Sequence, residues 1–194
     1  MRLARGIVVM AMVMAAGVAA AQEAPGIQLA ASAGVMGGQG PFMLGGQAGV
    51  AYPVVKGRIE IRYLVEYYGS GSYAYRFGGG CLDTCLASSA RSQLMGTAIG
   101  ARFNLFPSDP APYLLATVGL YQSRLRVNTP ANQYEAATQR DFLDTGLGAG
   151  GGVGMNFNVG GAQLFGELQF LYTNLGRTTR NNAIMIPITV GIGF

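Results

Sequence analysis

The sequence predicts an all-β chain, eight antiparallel strands joined up-and-down and closed into a transmembrane barrel, and three observations predict it. Segment after segment alternates large apolar side chains with small or polar ones at a period of two, which gives a strand one face of each kind. Charged residues make up only 11% of the chain while glycine numbers 31, a composition suited to a sheet whose outer wall must be uncharged. The connections also alternate between long and short, as they do when every second link lies on the same rim of an up-and-down barrel.

The chain opens with Arg2 and Arg5, then an apolar run over 7–21 that ends on Ala19, Ala20 and Ala21 before Gln22 and Glu23. This pattern predicts a secretory signal peptide over 1–21, cleaved at small residues and short of the roughly 20 apolar residues a spanning helix needs. The residue just after the cleavage site is Gln22 and not a cysteine, so lipoprotein processing is not expected. The mature chain, 22–194, is expected to be a single barrel domain. Without Arg2 and Arg5 the 13 basic residues fall to 11 against 9 acidic, and a nucleic-acid-binding reading loses its footing. Beyond residue 21 no apolar run approaches the roughly 18 residues of a helical span, which leaves an alternating membrane protein.

Taken in order, the first strand, 27–36, turns Ile27, Leu29, Ala31, Ala33 and Val35 outward, against Gln28, Ser32 and Gly34. After a link at 37–41, Phe42, Leu44, Ala48, Val50 and Tyr52 face out while Gly45, Gln47 and Gly49 face in. The third strand follows a turn at 53–57, with Ile59, Ile61, Tyr63, Val65 and Tyr67 alternating with Arg58, Glu60, Arg62, Leu64, Glu66 and Tyr68. A soluble sandwich would leave these charges in water, whereas a lipid-facing barrel would hold them inside and paired; this strand alone fits either. A polar loop is expected over 69–90. The fourth strand runs to about Phe106, with Met95, Ile99, Ala101, Phe103 and Leu105 out and Gly96, Ala98, Gly100, Arg102 and Asn104 in. A tight turn at 107–111 leads to the fifth strand, 112–126, with Leu114, Ala116, Val118 and Leu120 out and Tyr113, Thr117, Gly119, Tyr121 and Ser123 in.

A second polar loop is expected over 127–141. In the sixth strand Gly146, Gly148, Gly150, Gly152 and Gly154 share one face, and Leu147, Ala149, Val153, Met155 and Phe157 the other. Gly146, Gly148 and Gly151 formally match the dinucleotide-binding Gly-x-Gly-x-x-Gly, but that site needs a strand before it and a helix after it, and both are missing. A glycine wall leaving room for large side chains from opposite strands accounts for it better. After a turn at 159–161, Leu164, Leu168, Phe170 and Tyr172 face out, with Gln163, Phe165, Glu167, Gln169 and Thr173 inside. The loop at 175–183 precedes the closing strand, 184–194, in which Ile184, Ile186, Ile188, Val190, Ile192 and Phe194 form one apolar face. Strands of about eleven residues rise roughly 36 Å, or about 28 Å along the membrane normal at a 40° tilt, enough to cross an apolar band about 25 Å tall. Tyr52, Phe103, Phe157 and Phe194 near the short turns, with Tyr63, Tyr67 and Tyr172 toward the loops, supply aromatic girdles. A soluble lipocalin-like carrier would instead turn the apolar face inward and leave the third strand's charges in water.

The closing strand, alternating and ending on an aromatic, together with the segment from Pro112 and Tyr113 to Gly119, resembles the small eight-stranded bacterial outer-membrane β-barrels of the OmpA/OmpX type. The resemblance implies a place in the outer membrane of a Gram-negative-type bacterium, among its lipids. It also implies that Ile188, Val190, Ile192 and Phe194 carry the signal read by the barrel-assembly machinery, after delivery by periplasmic chaperones. Unlike the two-domain members, the sequence shows no periplasmic peptidoglycan-binding domain, and a monomer is expected.

An eight-stranded barrel is just wide enough to be filled by side chains. Arg58, Glu60, Arg62, Glu66, Arg102 and Glu167 are therefore expected to form a buried ion-pair network, a plug rather than a pore. A narrow channel through the space left by the glycines is the alternative. Lipid-modifying enzymes of this class, which the resemblance brings into view, rely on a histidine base, and the chain has no His. Lys56 sits in a short turn and Asp141 with Asp144 at a loop base, so no catalytic residue, cofactor or metal ligand is assigned. Cys81 and Cys85 are expected to close a small loop disulfide in the exported protein, since two thiols without histidine are too few ligands for zinc. The expected function is that of a non-enzymatic scaffold whose loops meet an extracellular ligand or host surface, with Tyr73, Tyr75, Arg76, Phe77 and Tyr134 as candidate contacts.

Overall fold

The computed structural model describes residues 26–37, 41–55, 57–75, 88–106, 108–131, 137–175 and 182–194. Nine strands form one antiparallel sheet: β1 (Gly26–Met36), β2 (Phe42–Val55), β3 (Ile59–Ser70), β4 (Tyr73–Tyr75), β5 (Ser88–Asn104), β6 (Ala111–Thr129), β7 (Thr138–Val159), β8 (Ala162–Leu175) and β9 (Asn182–Gly193). Neighbours follow chain order and β1 pairs with β9, while a further β3–β5 pairing closes the ring. β4 is the continuation of β3 along the same edge of β5. Gly69 pairs with Gln93 and Tyr73 with Ala90, a register one residue out of step, so the ring has eight staves, one of them broken by a bulge. Closure leaves no free edge, and every backbone ladder can be satisfied within the wall.

The period of two decides which wall each side chain joins. On β9, Ile188, Val190 and Phe194 are exposed outward while Met185 and Thr189 are buried inside, and the other strands divide the same way. Most of the exposed large apolar side chains, from Leu29 on β1 to Ile186 on β9, therefore form one continuous outer band. Such a wall is stable only against lipid.

The short rim is built by turns of defined chemistry. Gly160 and Gly161 take φ of 58° and 90° between the paired Val159 and Ala162, the two left-handed positions a two-residue hairpin turn requires. Gly57, at φ 69°, turns β2 into β3. Here the sequence expectation for Arg58 is corrected: it is exposed in the turn, outside the interior. Its N–H donates to the Val55 carbonyl and its own carbonyl accepts from Asn104 N–H, so its backbone is spent on the turn before the inward-facing register begins.

On the opposite rim the expected loops are shorter than the sequence suggested. β6 continues to Thr129 and β7 starts at Thr138, inside the expected 127–141 loop; β3, β4 and β5 likewise reach into the two ends of 69–90. The β5–β6–β7 wall thus stands above the rest of the rim. Residues 1–21, Arg76, Phe77, Cys81, Cys85 and Tyr134 lie outside the described residues, as does the side chain of Tyr75, and with them the expected signal peptide and loop disulfide.

Candidate functional site

The interior has two storeys. The lower, near the short turns, is organised by Glu167 on β8. One of its carboxylate oxygens, Oε1, accepts from Arg62 on β3, from Tyr113 Oη at 2.9 Å and from Arg102 Nη2 at 3.4 Å; Oε2 accepts from Gln169 Nε2 at 2.8 Å and Gln47 Nε2 at 3.5 Å. Arg102 reaches further down, donating to Glu60 at 3.0 Å and to Gln163 Oε1 at 3.2 Å. Its guanidinium also lies 4.3 Å from the centre of the Tyr113 ring, and both arginines lie 5.5 Å from that of Phe165. Arg62, Arg102 and Glu167 are at most 3% exposed, so these contacts act in a low-dielectric space where an unanswered charge is costly.

Of the six residues expected in the network, Glu60, Arg62, Arg102 and Glu167 meet directly. Glu66 is buried one step higher and accepts from Tyr121 Oη at 2.8 Å, and Arg58 stands outside. The supporting Tyr113, Gln163, Gln169, Gln47 and Phe165 sit on inward positions that the alternation marks, but their convergence depends on the stagger of strands around the ring, which no single segment carries.

The upper storey is largely apolar, with Ser92, Asp144 and Thr173 buried among it. Met43, Tyr68, Leu94, Tyr121, Leu171, Leu175 and Met185, each no more than 4% exposed, pack together across the barrel toward the loop rim. The glycine wall serves this packing, though for a neighbouring strand rather than an opposite one. A Cβ on Gly96 of β5 would sit 2.3 Å from the Tyr121 ring, and one on Gly148 of β7 2.5 Å, so Tyr121 of β6 lies flat between two glycines. Gly154 similarly gives way to Tyr113, at 2.3 Å.

At the loop rim, Tyr73 of β4 is half-buried on the inner side, its hydroxyl 2.7 Å from that of Ser92. On the outer side Arg124 and Arg126 of β6 hold Asp141 of β7, at 2.7 and 3.0 Å. These three lie beyond the apolar band, and the hydrogen bonds from Arg124 and then Arg126 hold the Asp141 carboxyl below the usual carboxylate range. At the closing seam, Ile27 and Phe194 exchange backbone hydrogen bonds at 3.0 and 2.9 Å, Ser32 and Thr189 hydroxyls meet at 2.8 Å inside, and Ile188, Val190 and Phe194 lie exposed on the outer wall, with Ile192 partly so. Among the described residues no group of three or more metal-ligating side chains occurs.

A family model for the outer membrane protein β-barrel domain matches residues 6–194. The chain belongs to the outer-membrane β-barrel family. This outer-membrane barrel is accordingly a protein of the outer membrane of a Gram-negative-type bacterium. Solved barrels share its fold. A major outer membrane protein from Thermus thermophilus gives a TM-score of 0.63 at 16% identity, over 89% of this chain and 100% of that one. Ail, the attachment invasion locus protein of Yersinia pestis, solved in complex with the heparin analogue sucrose octasulfate, gives 0.54 at 10% identity, over 87% and 95%. The N-terminal β-barrel domain of Pseudomonas aeruginosa OprF gives 0.53 at 14%, over 87% and 97%. At these identities the likeness is one of fold. A search of curated proteins found no match.

Proposed function

We propose that this outer-membrane barrel is a non-enzymatic, non-conducting scaffold that carries its loop rim into the extracellular space for contact with a ligand or a host surface. The observation that supports the reading is the filled interior, an ion-paired storey beneath a largely apolar one. A rigid wall suits the presentation of loops, where binding residues concentrate on a fixed frame. Ail, which shares the barrel fold, was solved with a sulfated ligand, and on this chain Tyr73, Tyr75, Arg76, Phe77 and Tyr134 are the proposed contacts. In this reading the outward Ile188, Val190, Ile192 and Phe194 of β9 are the segment the assembly machinery reads, and the barrel acts as a monomer.

The test is single-channel recording in a planar bilayer, with folding confirmed by heat-modifiable migration on a gel. Wild-type barrel is expected to be electrically silent. A steady conductance that changes when Arg62 and Arg102 are both replaced by Ala would make it a narrow pore instead.

A further inference from the structure

The outer wall carries a second feature, separate from the interior and from the loops. Arg91 on β5 and Arg126 on β6 are directly paired in the ladder and point outward together, and Arg124 stands two residues below Arg126 on the same face. Like charges opposite one another across a ladder repel, so the arrangement calls for an anion. Asp141 supplies one. Its carboxylate is shared between Arg124 and Arg126, and among the described residues no carboxylate lies within ion-pair distance of Arg91. Among the described residues, three guanidiniums against one carboxylate leave the patch two positive charges in excess.

The position of the patch says what answers them. Arg124 is paired across the ladder with Leu143, which is 58% exposed on the same outer wall, so the guanidinium adjoins apolar surface. From Leu120, the last outward apolar residue of β6, to Arg124 is about 13 Å along the strand and about 10 Å of height at a 40° tilt. The headgroup layer begins at that level, and an arginine's stem lets its head move along the normal to meet it. We infer that Arg91, Arg124 and Arg126 form a binding site on the barrel's outer wall for phosphate groups of lipid headgroups in the outer leaflet. Guanidiniums suit the task because their planar forks bind phosphate oxygens in pairs. A lipid bound here would have its phosphates on the arginines and its chains along the band beneath Leu143, so both parts of one molecule are held.

The experiment is native mass spectrometry of the folded barrel in detergent, titrated with a bis-phosphorylated, multiply acylated glycolipid. Its comparison arms are the same glycolipid without phosphates, inorganic phosphate alone, and heparin. Wild type is expected to bind the phosphorylated lipid roughly 100-fold more tightly than the triple variant R91Q/R124Q/R126Q, at about fivefold per arginine near a charged surface. The dephosphorylated lipid should lose as much, and R58Q, on the opposite rim, should bind as wild type does. Equal binding by wild type and the triple variant, or of the two lipids, overturns the inference. Inorganic phosphate binding as tightly as the lipid would mean a free-anion site, and heparin binding in preference to the lipid would mean a glycan site; either overturns it as well. Should the triple variant fail to fold, D141N decides: releasing Arg124 and Arg126 from their competing carboxylate should tighten lipid binding about fivefold, and unchanged or weaker binding overturns the inference.

Discussion

Glu167 is the side chain whose loss the interior can least absorb. It faces two buried guanidiniums, and with it gone Glu60, 20% exposed at the mouth, is the one carboxylate among the described residues still paired with Arg102, while Arg62 keeps none within ion-pair distance. Removing one member of a buried ionic cluster costs more than the cluster contributes, because the partners stay charged in a poor solvent. Glu167→Ala is therefore expected to destabilise the barrel by about 3–5 kcal/mol in urea unfolding from lipid vesicles. Arg58→Ala, exposed in its turn, should lie within about 0.5 kcal/mol of wild type. Comparable losses in the two variants would show that the cluster has no such role. The difference between these residues was only partly legible in the sequence. Both fall on the inward phase of an alternating segment, but Arg58 comes one residue before β3 begins, and strand ends are where phase stops predicting direction.

At the scale of the element, β6 depends on the glycines flanking it. Tyr121 needs both edges of its ring free of Cβ atoms, so Gly96→Ala or Gly148→Ala forces the ring or the backbone to move. Each should cost about 1–3 kcal/mol, as overpacking does, whereas Gly166→Ala, which meets nothing within 4 Å, should be nearly neutral. Equal midpoints for Gly96→Ala and Gly166→Ala in the same unfolding series would sink this account. The glycine alternation of β7 was plain in the sequence; its use by a neighbouring strand emerges only from the pairing register. The height of β6 and β7 was hidden for a related reason. Above Leu120 the outward positions become Gln122, Arg124, Arg126 and Asn128, so the wall leaves the lipid, the apolar period disappears, and the hydrogen-bonded ladder continues without it.

In the whole molecule the two storeys divide the work of closure unequally. In the lower one, Arg62 Nε and Nη2, Arg102 Nε and both side-chain polar atoms of Asn156 have no protein hydrogen-bond partner, so its lining stays polar. The upper one is lined mainly by apolar side chains, and apolar constrictions exclude ions by staying dry. This segregation was out of reach for the sequence, because each strand contributes inward residues to both storeys and only ring closure stacks them. The seal therefore belongs to the apolar storey. Tyr68→Ala, Leu94→Ala and Met185→Ala combined should turn a silent barrel into one with steady single-channel conductance, while Arg62→Ala with Arg102→Ala should leave it silent, provided both variants fold. The reverse pattern would move the seal to the charged storey, where the arginines would act as the barrier as well as the structural tie.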